Sequence, residues 1–364
     1  MAENPDYQKE VDEINQKLEE KTDKSLNELW KKTRKYSLDS FENIYKQLNT
    51  KFDAYFFESE LEKRGKEISQ ELLNKGIAKI SDGAIIIDLE KDNLGVWVLL
   101  RKDGTVLYSA KDLALAERKF NKYKIDKSIY VVGSQQMQHF HQLFKTLELM
   151  KFRQAKKCFY VPVSEVRFPW GEMSSRTGEN ILYSGFIKEL VAYAKDEIKK
   201  RHKLSEKEIE KRAMAIAISA LKYSMLKQDQ NKNIVFLKEE ALAFEGNTGP
   251  YLLYSYARAK SILEKAKFNQ NKKYIIKNLN NLEKDLIFQL GKFSQLVFNT
   301  YSSLAPNLIA NYAFETAQIF NEFYHANQVI GSDNEQFRLI LVDSFAQVLK
   351  NALSLLGIKT LEKM

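Results

Sequence analysis

Apolar side chains recur at helical spacing along the first part of the chain, against a strongly charged background. Residues 11–18 carry them at positions i, i+3 and i+7, which lie on one face of a helix. A second helical pattern covers residues 41–48, after a polar stretch at residues 37–40. A third covers residues 60–73 and stops before Gly76, the residue type that most often follows a helix. This region is therefore predicted to be helical and amphipathic.

The period of the pattern changes after residue 80. Two apolar runs, residues 84–89 and 96–100, are separated by a turn rich in Asp, Asn and Gly, which predicts a β-hairpin. Residues 128–133 form a short apolar run that ends in glycine, the pattern of a buried parallel strand, and a helical pattern follows at once. Residues 158–163 are the last candidate strand. Alternation of strands and helices from residue 80 to 165 predicts the α/β class.

The remainder of the chain, from residue 185 to the end, shows almost only helical periodicity. The last helical pattern, rich in Leu, Ala and Val, begins near residue 337 and closes at Gly357. The sequence therefore predicts an α/β part followed by an all-α part, with the boundary near residues 180–200.

Composition narrows the class of protein. The 364 residues are 44% hydrophobic, enough for two or three domains with real cores, which excludes wholesale disorder. Only 14 Gly and 5 Pro are present, which argues for long helices and against a β-sandwich or a collagen-like chain. The single cysteine, Cys158, excludes an intramolecular disulfide and a Cys-cluster zinc site, and a reducing, cytosolic compartment fits it best.

The charge balance points to an anionic partner. Lys and Arg exceed Asp and Glu by 57 to 48, a net charge of +9, which makes nucleic acid a candidate, although a solvated lysine-rich surface explains the excess equally well. No apolar run reaches the 18 residues of a membrane span, and the first residues are acidic without an apolar signal-peptide core. We therefore expect no membrane partner.

Three stretches carry candidate chemistry. The polar loop at residues 171–180 holds two hydroxyls and an arginine that could wrap a triphosphate, or it is simply a solvated loop. Tyr108 and Asp112 are four residues apart and face the same side if this segment is helical. Gln136 follows the candidate strand 128–133, at the carboxyl end where open α/β sheets bind ligands.

These stretches and four others resemble, in order and in approximate spacing, the carboxyl-terminal part of an arginyl-tRNA synthetase, a class I aminoacyl-tRNA synthetase. The matching motifs are FDAYFFES (52–59), DGTVLYSAKDLA (103–114), YVVGSQQMQHFHQLF (130–144), EMSSRTG (172–178), EGNTGPYLLYSYAR (245–258), APNLIANYAFETAQIFNEFY (305–324) and RLILVDSFAQVLKNALSLLGI (338–358), followed by the terminal Met364.

The resemblance implies a fold and an activity. The expected fold is α/β plus all-α: a partial Rossmann-type catalytic domain at residues 1–190 with a KMSKS-type loop at 172–178, a helical connector at 191–234, and a helical-bundle anticodon-binding domain at 235–364. The expected activity is that of an arginine–tRNA ligase, which activates L-arginine with ATP, accompanied by Mg²⁺, and transfers it to tRNA-Arg. Catalysis in this class is mostly positioning and electrostatic stabilisation of an in-line displacement.

The family's arginine site carries over to four residues: Glu58, Tyr108, Asp112 and Gln136. Asp112 and Tyr108 match the carboxylate and the tyrosine that hold the substrate guanidinium, Glu58 matches a second carboxylate, and Gln136 matches a glutamine near the α-amino group. A guanidinium favours a bidentate carboxylate and an aromatic or hydroxyl partner. The alternatives are that Asp112 is a helix N-cap and that Tyr108 is a half-buried strand tyrosine.

The family's mobile loop, which binds ATP phosphates during adenylation, matches Met173, Ser174, Ser175 and Arg176, of which the last three are the candidate catalytic residues. Glu172 departs from the pattern, because many relatives carry lysine there. No protein metal site is implied.

The helical part carries the candidate tRNA contacts. Splayed anticodon bases are read by stacking on aromatic rings, and arginines contact phosphates. The aromatic side chains found among polar residues there are Tyr251, Tyr254, Tyr312, Phe323 and Tyr324. The candidate tRNA-binding set is Tyr251, Tyr254, Arg258, Tyr324 and Arg338, with Tyr324 the best stacking candidate. The alternatives are that the tyrosines are helix-packing core and that the two arginines pack internally.

None of the four histidines lies in an HxGH pattern, the class I motif that holds adenine and triphosphate. We therefore expect a truncated or split enzyme, with a separate amino-terminal half as a possible partner. The runner-up is a non-catalytic tRNA-binding protein derived from the synthetase, and a structural helical scaffold ranks third. His139, beside the arginine-site residues, is expected to be a helix-face packing residue rather than a catalytic one.

Overall fold

The computed structural model describes residues 5–169, 182–201, 203–274, 276 and 278–364. The chain divides into two compact units. The first unit comprises Met1–Lys46 and Lys51–Pro162, and the second comprises Gln47–Thr50 and Val163–Met364.

The first unit is a mixed α/β structure. Its helices and strands are α1 (Pro5–Glu20), α2 (Lys24–Gln47), α3 (Glu62–Asn74), β1 (Lys79–Ser81), β2 (Ala84–Asp88), β3 (Val96–Leu100), α4 (Tyr108–Tyr123), β4 (Ser128–Gly133), α5 (Met137–Leu149) and β5 (Cys158–Val163). Strands β1, β2 and β3 form an antiparallel sheet in that order, and β4 pairs with β5. The predicted hairpin is β2–β3, whereas β1 escaped prediction because all three of its residues are exposed and carry no alternating apolar pattern.

Helix α2 runs without a break through the polar stretch at residues 37–40, where the sequence suggested an interruption. The Ser37 hydroxyl donates a hydrogen bond to the carbonyl of Thr33, 3.2 Å away and one turn back. A serine that bonds back in this way is compatible with a continuous helix.

Helix α4 begins at Tyr108, five residues before Leu113, where the apolar helical pattern of the sequence begins. Leu107 is its N-cap, and the Ser109 hydroxyl donates to the Val98 carbonyl, which ties the first turn of α4 to β3. Asp112 therefore lies in the second turn of the helix. Both alternatives, Asp112 as an N-cap and Tyr108 as a strand tyrosine, are wrong.

The core of the first unit lies between its helices and its sheets. Ile68 and Leu72 of α3, Leu99 of β3 and Leu113 of α4 are almost completely buried. The expectation of a fully buried strand at β4 is wrong, because its residues alternate and Val131 is 69% exposed. In this two-stranded sheet one face of β4 packs against the core and the other does not.

The second unit is predominantly helical. Its elements are β6 (Val166–Arg167), α6 (Tyr183–Arg201), α7 (Glu206–Leu226), β7 (Ile234–Val235), α8 (Lys238–Ala241), α9 (Gly249–Lys265), α10 (Asn281–Gly291), α11 (Phe293–Ser303), α12 (Asn307–Ala326) and α13 (Glu335–Leu355). A large core joins α7, α9, α12 and α13, within which Phe320 and Phe345 stack with ring centroids 3.8 Å apart. The predicted class, an α/β part followed by an all-α part, is confirmed, with one short parallel pair, β6–β7, added.

The motif EGNTGP builds the start of helix α9. Thr248 is the N-cap, and its side chain accepts a hydrogen bond from the Tyr251 amide at 3.2 Å. Pro250 occupies the first turn, where its missing N–H costs nothing. A side chain at Gly249 would collide with the backbone of Ser219 in α7, so glycine permits the two helices to approach closely. The motif thus fixes the position of the helix that carries Tyr251, Tyr254 and Arg258.

Candidate functional site

Two of the predicted arginine-site residues lie on one face of helix α4. Tyr108 opens the helix and Asp112 follows four residues later, so their side chains are neighbours on the helix surface. Tyr108 is 59% exposed, and the Asp112 side chain keeps 27% of its surface accessible. Both groups are therefore open to a ligand from solvent.

Asp112 has a partner that the sequence did not predict. His139 of α5 places its Nε2 2.7 Å from Asp112 Oδ2, and its ring centroid lies 4.7 Å from that of Tyr108. On the other side of the imidazole, the Trp97 indole N–H donates to His139 Nδ1 at 3.3 Å. His139 is more than a helix-face packing residue, because it joins β3, α4 and α5 through polar contacts. Its pairing with Asp112 spans 27 residues, so no local pattern could have revealed it.

Gln136 lies one turn before His139. It ends a 3₁₀ turn, Ser134–Gln136, that follows the last residue of β4, and it is exposed. The structure thus gathers Tyr108, Asp112 and His139, with Gln136 at the start of the helix that carries the histidine. This is the carboxyl end of a strand, where open α/β sheets bind ligands.

Glu58 opens a 3₁₀ turn ahead of α3 and is largely exposed. Its carboxylate forms an ion pair with Lys111 at 3.2 Å, and the same ammonium group lies 3.5 Å from Glu62. Lys111 precedes Asp112 in helix α4 and its side chain is only 12% exposed. Glu58 is therefore linked to the start of α4 through a lysine that the sequence analysis did not single out.

The predicted ATP-loop residues Met173, Ser174, Ser175 and Arg176, together with Glu172, lie outside the described residues. Their predicted role in ATP binding stays a prediction.

Lys119 of α4 is a largely buried lysine that the sequence analysis did not identify. Its ammonium group donates to the Ser128 hydroxyl at 2.7 Å and lies 3.6 Å from the centroid of the Tyr130 ring. Burial lowers the pKa of Lys119 to about 8, and the nearby Cys158 and Asp112 only partly offset this effect. Burial also raises the pKa of the Tyr130 hydroxyl and of the Cys158 thiol.

In the second unit, three predicted tRNA contacts meet at one cavity. The Arg258 guanidinium lies 4.7 Å from the centroid of the Tyr254 ring and 5.4 Å from that of Tyr324. These side chains line a cavity of about 1050 Å³ between α9, α12 and the end of the chain. The lining also contains the cations Arg212, Lys265 and Lys363, the carboxylates Glu264 and Glu362, and His325 and Met364, so that arginines and lysines outnumber the carboxylates there. The cavity combines aromatic faces with positive charge.

Asn321 of α12 ties this cluster together. Its Oδ1 accepts from Arg258 Nη1 at 2.6 Å, while its Nδ2 donates to the Tyr251 hydroxyl at 2.9 Å and to Ser255 Oγ at 3.0 Å. Arg258 also donates to the Tyr254 hydroxyl at 3.0 Å. Most of these groups are thus held by internal hydrogen bonds. Sequence analysis missed Asn321, which is buried in a helix whose inward positions are mostly apolar and aromatic.

Arg338 differs from the other predicted tRNA contacts. Its Nε donates to Glu283 Oε1 at 2.8 Å and its Nη1 to the Gln328 carbonyl at 2.7 Å. The Glu283 side chain is fully buried and Arg338 is 15% exposed, so this pair holds α13 to α10. The geometry supports internal packing for Arg338. Tyr312 and Phe323, two of the aromatic side chains that stand among polar residues in the sequence, are buried in the core, so the helix-packing alternative holds for Tyr312.

The described residues contain neither a membrane-spanning helix nor a cluster of metal ligands. No helix there is long and apolar enough to cross a bilayer. No three His, Cys, Asp or Glu side chains there are grouped as ligands for a metal ion.

Comparison with known families gives two matches that together span most of the chain. Residues 1–237 match the family model described as "tRNA synthetases class I (R), catalytic domain", in which R stands for arginine. The model of the DALR anticodon binding domain matches residues 252–364.

Curated relatives are identical to this chain at more than a third of the aligned positions. It is 38% identical to the arginine–tRNA ligase of Clostridium acetobutylicum over 341 residues, which are 93% of this chain and 60% of the relative. It is 37% identical to the arginine–tRNA ligase of Bdellovibrio bacteriovorus over 344 residues, again 93% of this chain and 59% of the relative. The chain therefore spans about 60% of the length of these relatives.

Solved structures confirm the fold. The arginyl-tRNA synthetase of Thermus thermophilus superimposes with a TM-score of 0.83 at 24% identity, covering 100% of this chain and 68% of that one. The arginyl-tRNA synthetase of Plasmodium falciparum gives a TM-score of 0.84 at 24% identity, covering 98% of this chain and 62% of that one. Because the catalytic-domain model matches well over half of the chain, the chain belongs to the class I arginyl-tRNA synthetase family.

Proposed function

We propose that this chain provides the arginine-binding and tRNA-binding parts of an arginine–tRNA ligase. In the complete reaction, the L-arginine carboxylate attacks the α-phosphate of ATP, which gives arginyl-adenylate and releases pyrophosphate. A hydroxyl of the 3′-terminal ribose of tRNA-Arg then takes the arginyl group, and AMP is released. The observation that carries the proposal is the pairing of Tyr108 and Asp112 on one exposed face of α4, where the Asp112 carboxylate lies within hydrogen-bond distance of His139. Family membership supports the same activity.

In this proposal the substrate guanidinium binds Asp112. A carboxylate offers two acceptors to the planar N–H fork of a guanidinium, and lysine cannot reproduce that geometry. Tyr108 supplies an exposed ring and hydroxyl beside it. Gln136 contacts the α-amino group, and Glu58 contributes a second carboxylate, whose charge Lys111 partly balances.

ATP binds the KMSKS-type loop through Met173, Ser174, Ser175 and Arg176, and the last three also assist catalysis. Mg²⁺ would accompany ATP and would neutralise part of the charge of its phosphates. The loop holds the phosphates in line for attack by the arginine carboxylate, and the work of these side chains is positioning and charge stabilisation.

The proposal keeps the division into a catalytic domain at 1–190, a helical connector at 191–234 and an anticodon-binding domain at 235–364. In the last domain, the anticodon of tRNA-Arg stacks on Tyr251, Tyr254 and Tyr324. Arg258 contacts the RNA from the same cavity, which is aromatic and positively charged. Arg338 contributes mainly by supporting the fold of this domain. A cytosolic location agrees with the free, buried thiol of Cys158.

Complete turnover needs an HxGH-bearing segment, in the same or a separate chain, because this chain spans about 60% of its relatives and its four histidines form no such motif. Arginine-dependent pyrophosphate exchange and tRNA aminoacylation by this chain alone should therefore stay at background. Adding the amino-terminal part of a relative in trans should restore activity if the two parts assemble. Turnover by the purified chain alone would contradict this part of the proposal.

Binding of L-arginine to the purified chain is the direct test of the proposed site. Calorimetric or NMR titration should show saturable binding of L-arginine. L-citrulline, which has nearly the same shape but no positive charge, should bind at least tenfold more weakly, because the Asp112 carboxylate then loses its charge partner. Equal binding of the two amino acids, or none of either, would contradict the assignment of the arginine site.

A further inference from the structure

Three side chains from three separate elements form a continuous polar chain that ends at the candidate arginine site. The Trp97 indole N–H of β3 donates to His139 Nδ1 at 3.3 Å, and His139 Nε2 lies 2.7 Å from Asp112 Oδ2. Trp97 is 4% exposed and the His139 side chain 11%. The chain therefore runs from the core of the first unit to a carboxylate at its surface.

The hydrogen bonds determine which nitrogen of His139 carries the proton. An indole N–H can only donate, so Nδ1 must act as the acceptor. The ring proton is then on Nε2, which donates it to Asp112 Oδ2. Aromatic contacts also fix the plane of the imidazole, because its centroid lies 4.7 Å from that of Tyr108 and 5.2 Å from that of Phe140. Both the tautomer and the orientation of the ring are thus set by its neighbours.

A fixed donor at Oδ2 fixes the rotation of the whole Asp112 carboxylate. Its Oδ1, and the remaining lone pair of Oδ2, are left for a ligand. Among the described residues, the structure gives Asp112 no other hydrogen-bond partner. A planar guanidinium binds best to a carboxylate whose plane is already oriented, because no rotation then has to be frozen on binding.

We propose that His139 is the positioning residue that orients the Asp112 carboxylate for the guanidinium group of the substrate, and that Trp97 holds His139 in the Nε2–H tautomer this requires. The inference rests on the proposed binding of L-arginine at Asp112. It adds two residues that support the site from behind Asp112: His139 and Trp97 act through this carboxylate and do not themselves contact the ligand.

Two substitutions at His139 separate positioning from packing. His139→Gln retains an N–H that can reach Asp112, whereas His139→Phe retains an aromatic ring but no donor. L-arginine should bind about tenfold more weakly to His139→Phe and within about threefold of the wild type to His139→Gln. If only packing mattered, the order would be reversed, since phenylalanine preserves the contacts with Tyr108 and Phe140. That reversed order, or equal affinities throughout, would overturn the inference while leaving the arginine site in place.

Nitrogen NMR of the full chain with ¹⁵N-labelled histidine provides a second readout that needs no ligand. His139 should show a protonated Nε2 and an unprotonated Nδ1, and Trp97→Phe should produce a mixture of tautomers. His141, on the same helix as His139, contacts the Tyr160 hydroxyl of β5; it is the internal control and should not change between the two proteins. A proton on Nδ1 of His139 in the wild type would overturn the inference. If the wild type does not bind L-arginine at all, the proposed function is overturned, and the role of His139 is overturned with it.

Discussion

The two units hold their candidate functional residues in opposite ways. In the first unit, Tyr108 is exposed and Asp112 has a single internal hydrogen-bond partner among the described residues. In the second unit, Arg258 is hydrogen-bonded to Asn321 and Tyr254, and Asn321 in turn bonds Tyr251. Substitutions at the first site should therefore alter ligand binding with little loss of stability. Substitutions among the hydrogen-bonded residues of the second unit should change both ligand binding and stability.

The two units also differ in the partners of their buried charged side chains. In the second unit, the buried carboxylate of Glu283 faces Arg338 at 2.8 Å. In the first unit, the largely buried Lys119 donates to a hydroxyl, that of Ser128, and faces the Tyr130 ring. A buried ion pair is costly to break on one side, whereas a buried charge without an ionic partner is costly to keep.

Removal of one partner of the buried pair should have the largest effect on stability. Arg338→Met leaves the Glu283 carboxylate buried without its counter-charge, which should lower the free energy of unfolding by about 3–5 kcal/mol. Urea denaturation followed by circular dichroism measures this. The double variant Arg338→Met, Glu283→Gln removes both charges and should recover most of the loss. If the single and double variants are equally stable, the pair is not what holds α13 to α10.

Loss of the carboxylate charge at the first site should have the next largest effect, and on binding alone. Asp112→Asn should weaken L-arginine binding by about 2–4 kcal/mol, because a guanidinium loses its charge partner. The free energy of unfolding should change by less than about 1 kcal/mol, because the side chain is partly exposed. Titration calorimetry and urea denaturation of the same preparation give both numbers. Unchanged affinity would remove Asp112 from the site, and a large loss of stability would contradict the contrast between the units.

Replacement of the largely buried Lys119 should stabilise the first unit. Lys119→Met keeps the apolar stem and removes the charge, so unfolding should cost about 1–3 kcal/mol more at pH 7. The gain should depend on pH with a definite sign. The pKa of Lys119 is lowered to about 8, so between pH 8 and about 10.4 the unfolded chain binds more protons than the folded one.

The stability of the wild type relative to Lys119→Met should consequently rise with pH across that window. The advantage of the variant is therefore largest at or below pH 8 and shrinks toward pH 10. Denaturation of both proteins at pH 7, 8.5 and 10 provides the comparison. Lys119→Arg, which keeps the charge, should give no stabilisation at any pH. A gain for Lys119→Met that is the same at all three pH values would attribute the effect to packing instead of charge.

The cavity of the second unit should lose tRNA affinity when its stacking ring is removed. Tyr324→Ala should weaken the specific binding of tRNA-Arg by about 1–3 kcal/mol. The dependence of log affinity on log salt, about 0.7–0.9 per phosphate contacted, should not change, because no charge is removed. Tyr301→Ala removes an exposed tyrosine from α11 and serves as the control, with affinity unchanged. Equal affinities of wild type and Tyr324→Ala would exclude Tyr324 as a stacking residue.

These contrasts also separate what the sequence could predict from what it could not. Local patterns predicted the β2–β3 hairpin, the end of α3 before Gly76 and the end of α13 near Gly357, because periodicity and turn residues act within a few positions. The spacing of Tyr108 and Asp112 predicted a shared helix face, which the structure confirms. The start of α4 was misplaced because nothing local marks it: its N-cap is a leucine without a capping side chain.

The missed features depend on contacts between residues distant in sequence. The Asp112–His139 pair, the Arg338–Glu283 pair and the burial of Tyr312 follow from how helices pack, and similar aromatic and charged residues occur on exposed faces as well. The functional roles at both sites came from resemblance to a family, since tyrosine and aspartate at i and i+4 are common on ordinary helices. Those roles stay predictions until binding is measured.

The smallest expected effect concerns a single hydroxyl at the first site. Tyr108→Phe keeps the ring, and therefore its contact with His139 at 4.7 Å, but removes the hydroxyl. L-arginine binding should weaken by about 1 kcal/mol, the contribution of one hydrogen bond to a charged ligand at a solvent-exposed position. The free energy of unfolding should not change, because the ring is 59% exposed. Tyr123→Phe, at the other end of α4, is the matched control and should bind L-arginine as the wild type does. An affinity for Tyr108→Phe equal to that of the control would leave the ring, and not the hydroxyl, as the contribution of Tyr108, whereas a loss of more than tenfold would mean that the substitution disturbs the Asp112–His139 pair.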